Sequence, residues 1–197
     1  MSSSMHSLDD ASLWLMMKGG KEAAFEALYK KHIADLLAYG DKMGLDSEVL
    51  KDLIQDLFVE VWRSRERLSD TDSVKFYLFK ALRYKMIRHH QRTLSAVPIP
   101  GDWTEQEESV EARILNAEQN GMTAKQLHLA IAKLPKRQQE IIHLRFFHGF
   151  SNHEIAALMN LQYQSASNLI QRSLQSIRQY LQVPMPLVWL LIIFVSN

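Results

Sequence analysis

The chain has 197 residues, enough for one mid-sized domain or two small ones, and its apolar fraction of 47% can fill a packed core. Lysine and arginine number 23 against 22 carboxylates, so the chain as a whole is no polycation, and any nucleic-acid binding has to come from local segregation of charge. The absence of cysteine excludes disulfides and thiolate metal sites and fits a reducing cytoplasm, while 7 glycines and 5 prolines leave room for long helices.

The opening MSSSMHSLDDASLWLMMKGG has no basic leader and no long apolar run, so it does not read as a signal peptide. A short helix is predicted over residues 8–18, stopped by Gly19-Gly20. Phe25, Leu28, Tyr29, Ile33, Leu36 and Leu37 then form the apolar stripe of a helix that ends near Gly40 and Gly44. Leu50, Leu53, Ile54, Leu57, Phe58, Val61 and Trp62 form a second stripe at alternating three- and four-residue spacing, the period of a buried helical face. Opposite it stand Asp52, Gln55, Asp56 and Glu60, a face suited to solvent or to a basic docking partner. After a polar break at residues 68–73, a third helix is predicted over 74–92. No strand-like alternation of useful length appears, so the first half reads as an all-α bundle.

That third helix is uneven in composition. Lys75, Lys80, Arg83, Lys85, Arg88 and Arg92 carry its charge with no acid among them, and Phe76, Tyr77, Phe79 and Tyr84 are interleaved. Cations that follow a phosphate chain, beside aromatic faces on which bases stack, are what an unpaired DNA strand requires. A place in the bundle core accounts for most of the aromatics. The basic run is harder to explain that way, because like charges in a row are costly unless a polyanion neutralises them.

Residues 93–122 change character. Pro98, Pro100 and Gly101 break any helix, and Asp102, Glu105, Glu107, Glu108, Glu111 and Glu118 follow against Arg113, an acidic linker that turns helical towards its end. The second half restarts near Thr123. Its segment 134–181 reads as a helix followed by a helix-turn-helix. Ser151 and Glu154 make a capping box that starts the first helix of that motif. Ile155, Leu158 and Met159 share one face, small Ala156 admits a close neighbour, and Asn160 can take the left-handed conformation that closes the turn. The next helix points Ala166, Leu169, Ile170, Leu174, Ile177 and Leu181 inward and Gln164, Ser165, Ser167, Asn168, Gln171, Arg172, Gln175 and Arg178 outward. Such side chains can bond base edges and phosphates from a major groove.

Residues 183–197, VPMPLVWLLIIFVSN, form an apolar tail. Its uninterrupted run is about half of the ~20 residues a membrane span needs, so the tail is expected to fold back onto a helical surface, without stable membrane insertion. The histidines offer no ligand set. His89 and His90 are adjacent and diverge, and His143, His148 and His153 are five apart, so no metal or cofactor is expected. The chain carries no glycine-rich phosphate loop, nucleophile elbow or HExxH motif, and no enzymatic activity is expected.

Four segments, AFEALYKKH (24–32), DLIQDLFVEVW (52–62), VKFYLFKALRYKMIRHHQR (74–92) and LPKRQQEIIHLRFFHGFSNHEIAALMNLQYQSASNLIQRSL (134–174), resemble in order the segments of extracytoplasmic-function (ECF) sigma factors of bacterial RNA polymerase. The resemblance implies an all-α protein of two small helical domains, a region-two type at residues 8–92 and a region-four type at 123–182. An acidic linker at 93–122 joins them, and the apolar tail at 183–197 follows. It implies that Asp52, Gln55, Asp56 and Glu60 bind core polymerase. Arg65, Ser73, Lys75, Phe76, Tyr77, Lys80, Arg83, Tyr84 and Arg88 then take the minus-ten element, with the loop at 65–73 holding a flipped base. Tyr163, Gln164, Ser165, Ser167, Asn168, Gln171, Arg172 and Gln175 lie in the major groove of the minus-thirty-five element.

The implied partners are core polymerase, promoter DNA as duplex and as melted strand, and an anti-sigma factor, all in the cytoplasm. The linker is implied to follow the RNA exit path. This sequence departs from the family where Asn160 replaces a frequent Gly and where Ser167 and Leu169 replace frequent cations. Fewer cations mean fewer phosphate contacts and a shallower salt dependence. Without the resemblance, the residues also suit a helix-turn-helix regulator of duplex DNA with an N-terminal helical interaction module. The aromatic-basic helix is the feature such a regulator does not need.

Overall fold

The computed structural model describes residues 8–95 and 122–184 together with Pro186, Val188 and Ile192, and every regular element among them is helical. The chain divides into two compact units, Met1–Ile99 and Pro100–Asn197. The expected acidic linker falls almost wholly outside the described residues.

The first unit contains α1 (Asp10–Lys18), α2 (Glu22–Lys42), α3 (Ser47–Ser64), a 3-10 turn (Arg65–Arg67) and α4 (Val74–Ser95). Side-chain caps set the starts of α1 and α3. Asp9 accepts the Ser12 N–H at 2.8 Å, and Asp46 accepts from Glu48 and Val49 at 2.9 and 3.2 Å. Each such cap satisfies backbone donors that the first helical turn leaves unpaired. The core is built from Leu13, Trp14 and Met17 of α1, Leu28, Leu36 and Tyr39 of α2, Ile54, Leu57 and Phe58 of α3, and Leu78, Phe79, Leu82 and Met86 of α4.

One expectation shifts, while α2 ends where expected, between Gly40 and Gly44. The buried face of α2 is not the simple stripe. Ala24, Ala27, His32 and Tyr39 are buried, whereas Tyr29 is exposed and Phe25, Ile33 and Leu37 are half-buried. The reason is that α2 packs against both α1 and α3, so its covered arc is wider than one stripe. The helix also runs through Gly40 to Lys42. Gly40 is needed for close approach, since a Cβ there would sit 2.2 Å from Leu50 Cδ1 of α3, and the chain reverses at Gly44, φ +82.

His32 is a buried polar residue in this core. It lies against Asp10, Nε2 to Oδ2 3.0 Å, while Lys31 pairs with the other oxygen of that carboxylate at 2.5 Å. Burial pushes the imidazole below its ordinary 6.5, assisted by Lys31 and Lys75 and opposed by Asp10. A lowered histidine pKa means that the unfolded chain takes up the proton first. Stability from this group is therefore complete above about pH 6.5 and is lost as pH falls towards the folded value. Thermal unfolding of the wild type and of His32→Phe across pH 5 to 8 is expected to show a steeper acid-side decline in the wild type. Parallel curves would remove His32 as the cause.

The second unit contains α5 (Met122–Ala132), α6 (Lys136–Ile142), a π-helical turn (His143–Phe147), α7 (Asn152–Leu158) and α8 (Tyr163–Leu181). Gln139 of α6 clasps the end of α5, its amide donating to the carbonyls of Ala132 and Leu134 at 3.0 and 2.7 Å. The capping box is present: Glu154 donates its N–H to Ser151 Oγ, and Glu154 Oε2 accepts the Ser151 N–H at 2.8 Å. Asn160 adopts φ +52, and the turn it closes brings α8 across α7. Leu127, Ile131, Ile141, Ile142, Leu144, Phe150, Ile155, Ala166, Leu174 and Ile177 fill the core. In the tail, Val188 and Ile192 are fully buried four residues apart. No helix among the described residues is long and apolar enough to cross a membrane.

Candidate nucleic-acid and polymerase interfaces

The exposed face of α8 is amide-rich and carries no carboxylate. Ala166, Ile170, Ser173, Leu174 and Ile177 point into the core, which leaves Tyr163, Gln164, Ser165, Asn168, Gln171, Arg172 and Gln175 exposed together. Ser173 is tolerated inside because its hydroxyl donates to the Leu169 carbonyl at 2.7 Å. Gln164 donates to Asn168 Oδ1 at 3.1 Å, so two amides one turn apart brace each other. Ser167 differs from its neighbours. It is half-buried and accepts from the Asn152 amide at 3.3 Å, tying α8 to the start of α7. His153 of α7 stacks on Tyr163 with ring centroids 4.4 Å apart, a pairing no sequence period announces.

On α4 the charged and aromatic residues separate by environment. Lys80, Tyr84, Arg88 and Arg92 recur every fourth residue and are all exposed, Tyr84 by 65%. Lys80 lies 5.8 Å from the centre of the Phe76 ring. Phe76 and Arg83 are half-buried. Lys75 and Lys85, by contrast, meet protein carboxylates: Lys75 pairs with Asp35 of α2 at 2.9 Å and Lys85 with Glu60 of α3 at 2.6 Å. The like-charge run is thus partly neutralised within the unit, and the exposed cations lie along the outer stripe. Phe79 is fully buried, and Tyr77 packs edge-on against Trp14 of α1 at 5.1 Å.

The loop before α4 is structured. Arg65 lies over Trp62, 4.6 Å from the ring centre, and donates to its carbonyl at 2.9 Å. Ser73 is the cap of α4, its hydroxyl accepting the Phe76 N–H at 3.1 Å. On α3, Asp52, Gln55 and Asp56 share the exposed face opposite the buried stripe. Glu60 sits at the edge of that face, where it is joined to Lys85. Among the described residues no three His, Asp or Glu side chains converge as a metal site.

Two segments match family models that describe them as sigma-70 region 2, over residues 28–94, and sigma-70 region 4, over residues 124–177. The chain belongs to the sigma-70 family.

It is an RNA polymerase sigma factor of the ECF group. It is similar to the ECF RNA polymerase sigma factor RpoE of Cereibacter sphaeroides, 24% identical over 161 residues that span 81% of this chain and 87% of the relative. Its fold resembles CnrH, solved in complex with the cytosolic domain of CnrY, with a TM-score of 0.62 and 22% identity over 88% of this chain and 97% of that one. It also resembles the sigma factor RpoE of Bartonella quintana, solved with the anti-sigma factor NepR, with a TM-score of 0.57 and 20% identity over 81% and 97% of the two chains. The exposed stripe of α4, α7 and α8 up to Ile177 fall inside the two matched regions of this sigma factor, whereas α1 falls outside them.

Proposed function

We propose that this sigma factor divides promoter recognition between its two units. Residues 8–92 bind core polymerase and the melted minus-ten strand, and residues 123–182 read the minus-thirty-five duplex. The observation that carries the proposal is the contrast between two exposed faces. The α4 stripe alternates cations with Tyr84, which suits phosphates and a stacked base of an open strand. The α8 face presents Gln164, Asn168, Gln171 and Arg172 from a helix-turn-helix, which suits base edges and phosphates of a closed duplex. In this reading Asp52, Gln55 and Asp56 dock on a basic surface of core polymerase, with Glu60 also fixing α4. The linker at 93–122 connects the two functions.

The protein works in the cytoplasm, where its polymerase is, and an anti-sigma factor is its proposed regulator. One structural relative, RpoE of Bartonella quintana, was solved with the anti-sigma factor NepR, and another, CnrH, with the cytosolic domain of CnrY. Core polymerase supplemented with this protein is expected to give run-off transcripts from promoters that share paired upstream and downstream elements. Transcription without promoter selectivity, or no complex with core enzyme, would sink the division.

A further inference from the structure

The loop at residues 68–73 has no regular secondary structure, yet it is anchored from a helix distant in sequence. Trp14 of α1 is 1% exposed, and its indole N–H donates to the Ser69 carbonyl at 3.1 Å. The same indole meets the Tyr77 ring at 5.1 Å with planes 61° apart, so one side chain touches both the loop and the first turns of α4. One turn further along α1, Lys18 pairs with Asp70. Within the loop, Ser73 donates its N–H to Thr71 Oγ1 at 3.2 Å and caps α4 through its hydroxyl. The loop is therefore held at Ser69 and Asp70 by α1 and at Ser73 by α4, while Asp70 and Asp72 stay exposed.

We propose that α1 is a positioning element for the minus-ten element, with Trp14 and Lys18 fixing the 68–73 loop in the shape that receives a displaced base. The idea rests on the proposed binding of the minus-ten strand by the first unit, together with the role that the family resemblance implies for the loop at 65–73, to hold a flipped base. Its physical basis is pre-organisation: a loop already fixed in its bound shape loses less conformational freedom when the base arrives. Neither residue needs to touch DNA. The burial of Trp14 makes direct contact impossible without unfolding α1, so its effect has to travel through Ser69 and Tyr77.

The test uses holoenzyme carrying the wild type, Trp14→Phe, Lys18→Met or Asp70→Asn. Trp14→Phe keeps an aromatic ring in the core and deletes the donor. Asp70→Asn weakens the ion pair from the exposed side and leaves the α1 core untouched. The probe is a fragment of the promoter mapped from this protein's own transcripts, with the minus-ten non-template strand left single-stranded. A second probe carries an abasic site at the displaced base. Each variant is expected to lose about two- to tenfold in affinity for the intact probe, the worth of one hydrogen bond or ion pair, with no change on the abasic probe or in core binding.

Equal losses on both probes, or no loss on the intact one, overturn the positioning role. Failure of the wild type itself to distinguish the probes overturns the underlying assignment of the loop.

Discussion

Asp56→Arg is expected to lower the affinity of the sigma factor for core polymerase by about ten- to a hundredfold, because like-charge juxtaposition across an interface costs several kcal/mol. Asp56 is exposed on α3, opposite the buried stripe of Leu50, Ile54, Leu57 and Phe58, so the substitution leaves the helical core intact. The unfolding midpoint is expected to stay where it is, and binding of the isolated chain to DNA is expected not to fall. Fluorescence titration of labelled core enzyme measures the loss. Glu60→Ala provides the contrast. Glu60 is joined to Lys85, so its removal releases a cation on α4 and changes the DNA-facing charge as well as the docking face. If Asp56→Arg left core affinity unchanged, the α3 face would not be the docking surface.

The second large effect is expected on α8. Asn168→Ala removes a side chain that can pair bidentately with adenine, worth about 1–3 kcal/mol at one base pair, and it also deprives Gln164 of its brace. Arg172→Ala behaves differently if its role is to meet phosphate. Binding weakens by a similar factor on every sequence, and the salt slope falls by about 1. Competition binding of holoenzyme to a panel of single-base variants of the upstream element separates the two patterns. A loss for Asn168→Ala that is uniform across the panel would remove it as a base reader.

The helical class was legible in the sequence because its signals are local. The three-four spacing of Leu50–Trp62, the Ser151–Glu154 capping box and the Asn160 turn each depend on residues within one or two helical turns, and all three appear as expected. The exposed residues of α8 were also legible, since a strongly two-faced helix leaves little choice about which side is buried. At α4 one expectation is amended, for the cations, and one holds, for the aromatics, most of which turn inward. The run of cations without an acid on its own helix points to an external polyanion, but Lys75 and Lys85 meet Asp35 and Glu60, 40 and 25 positions away. Among the aromatics, Tyr84 faces out, Phe79 lies in the core, and Tyr77 turns to Trp14. The short spacing of charges and rings along one helix does not tell which neighbour each will meet.

By itself, the sequence determined that this chain is helical, that it holds a helix-turn-helix with a polar outer face, and that its cations and carboxylates are segregated by segment. Those are properties of period, capping and local composition. Only the tertiary structure decided which cations of α4 stay exposed, that Gly40 is required for the approach of α3, and that Trp14 and Lys18 hold the loop before α4. Each of these depends on a contact between residues far apart in the chain. Such contacts are set by how helices pack, and no local pattern of residues encodes the partner.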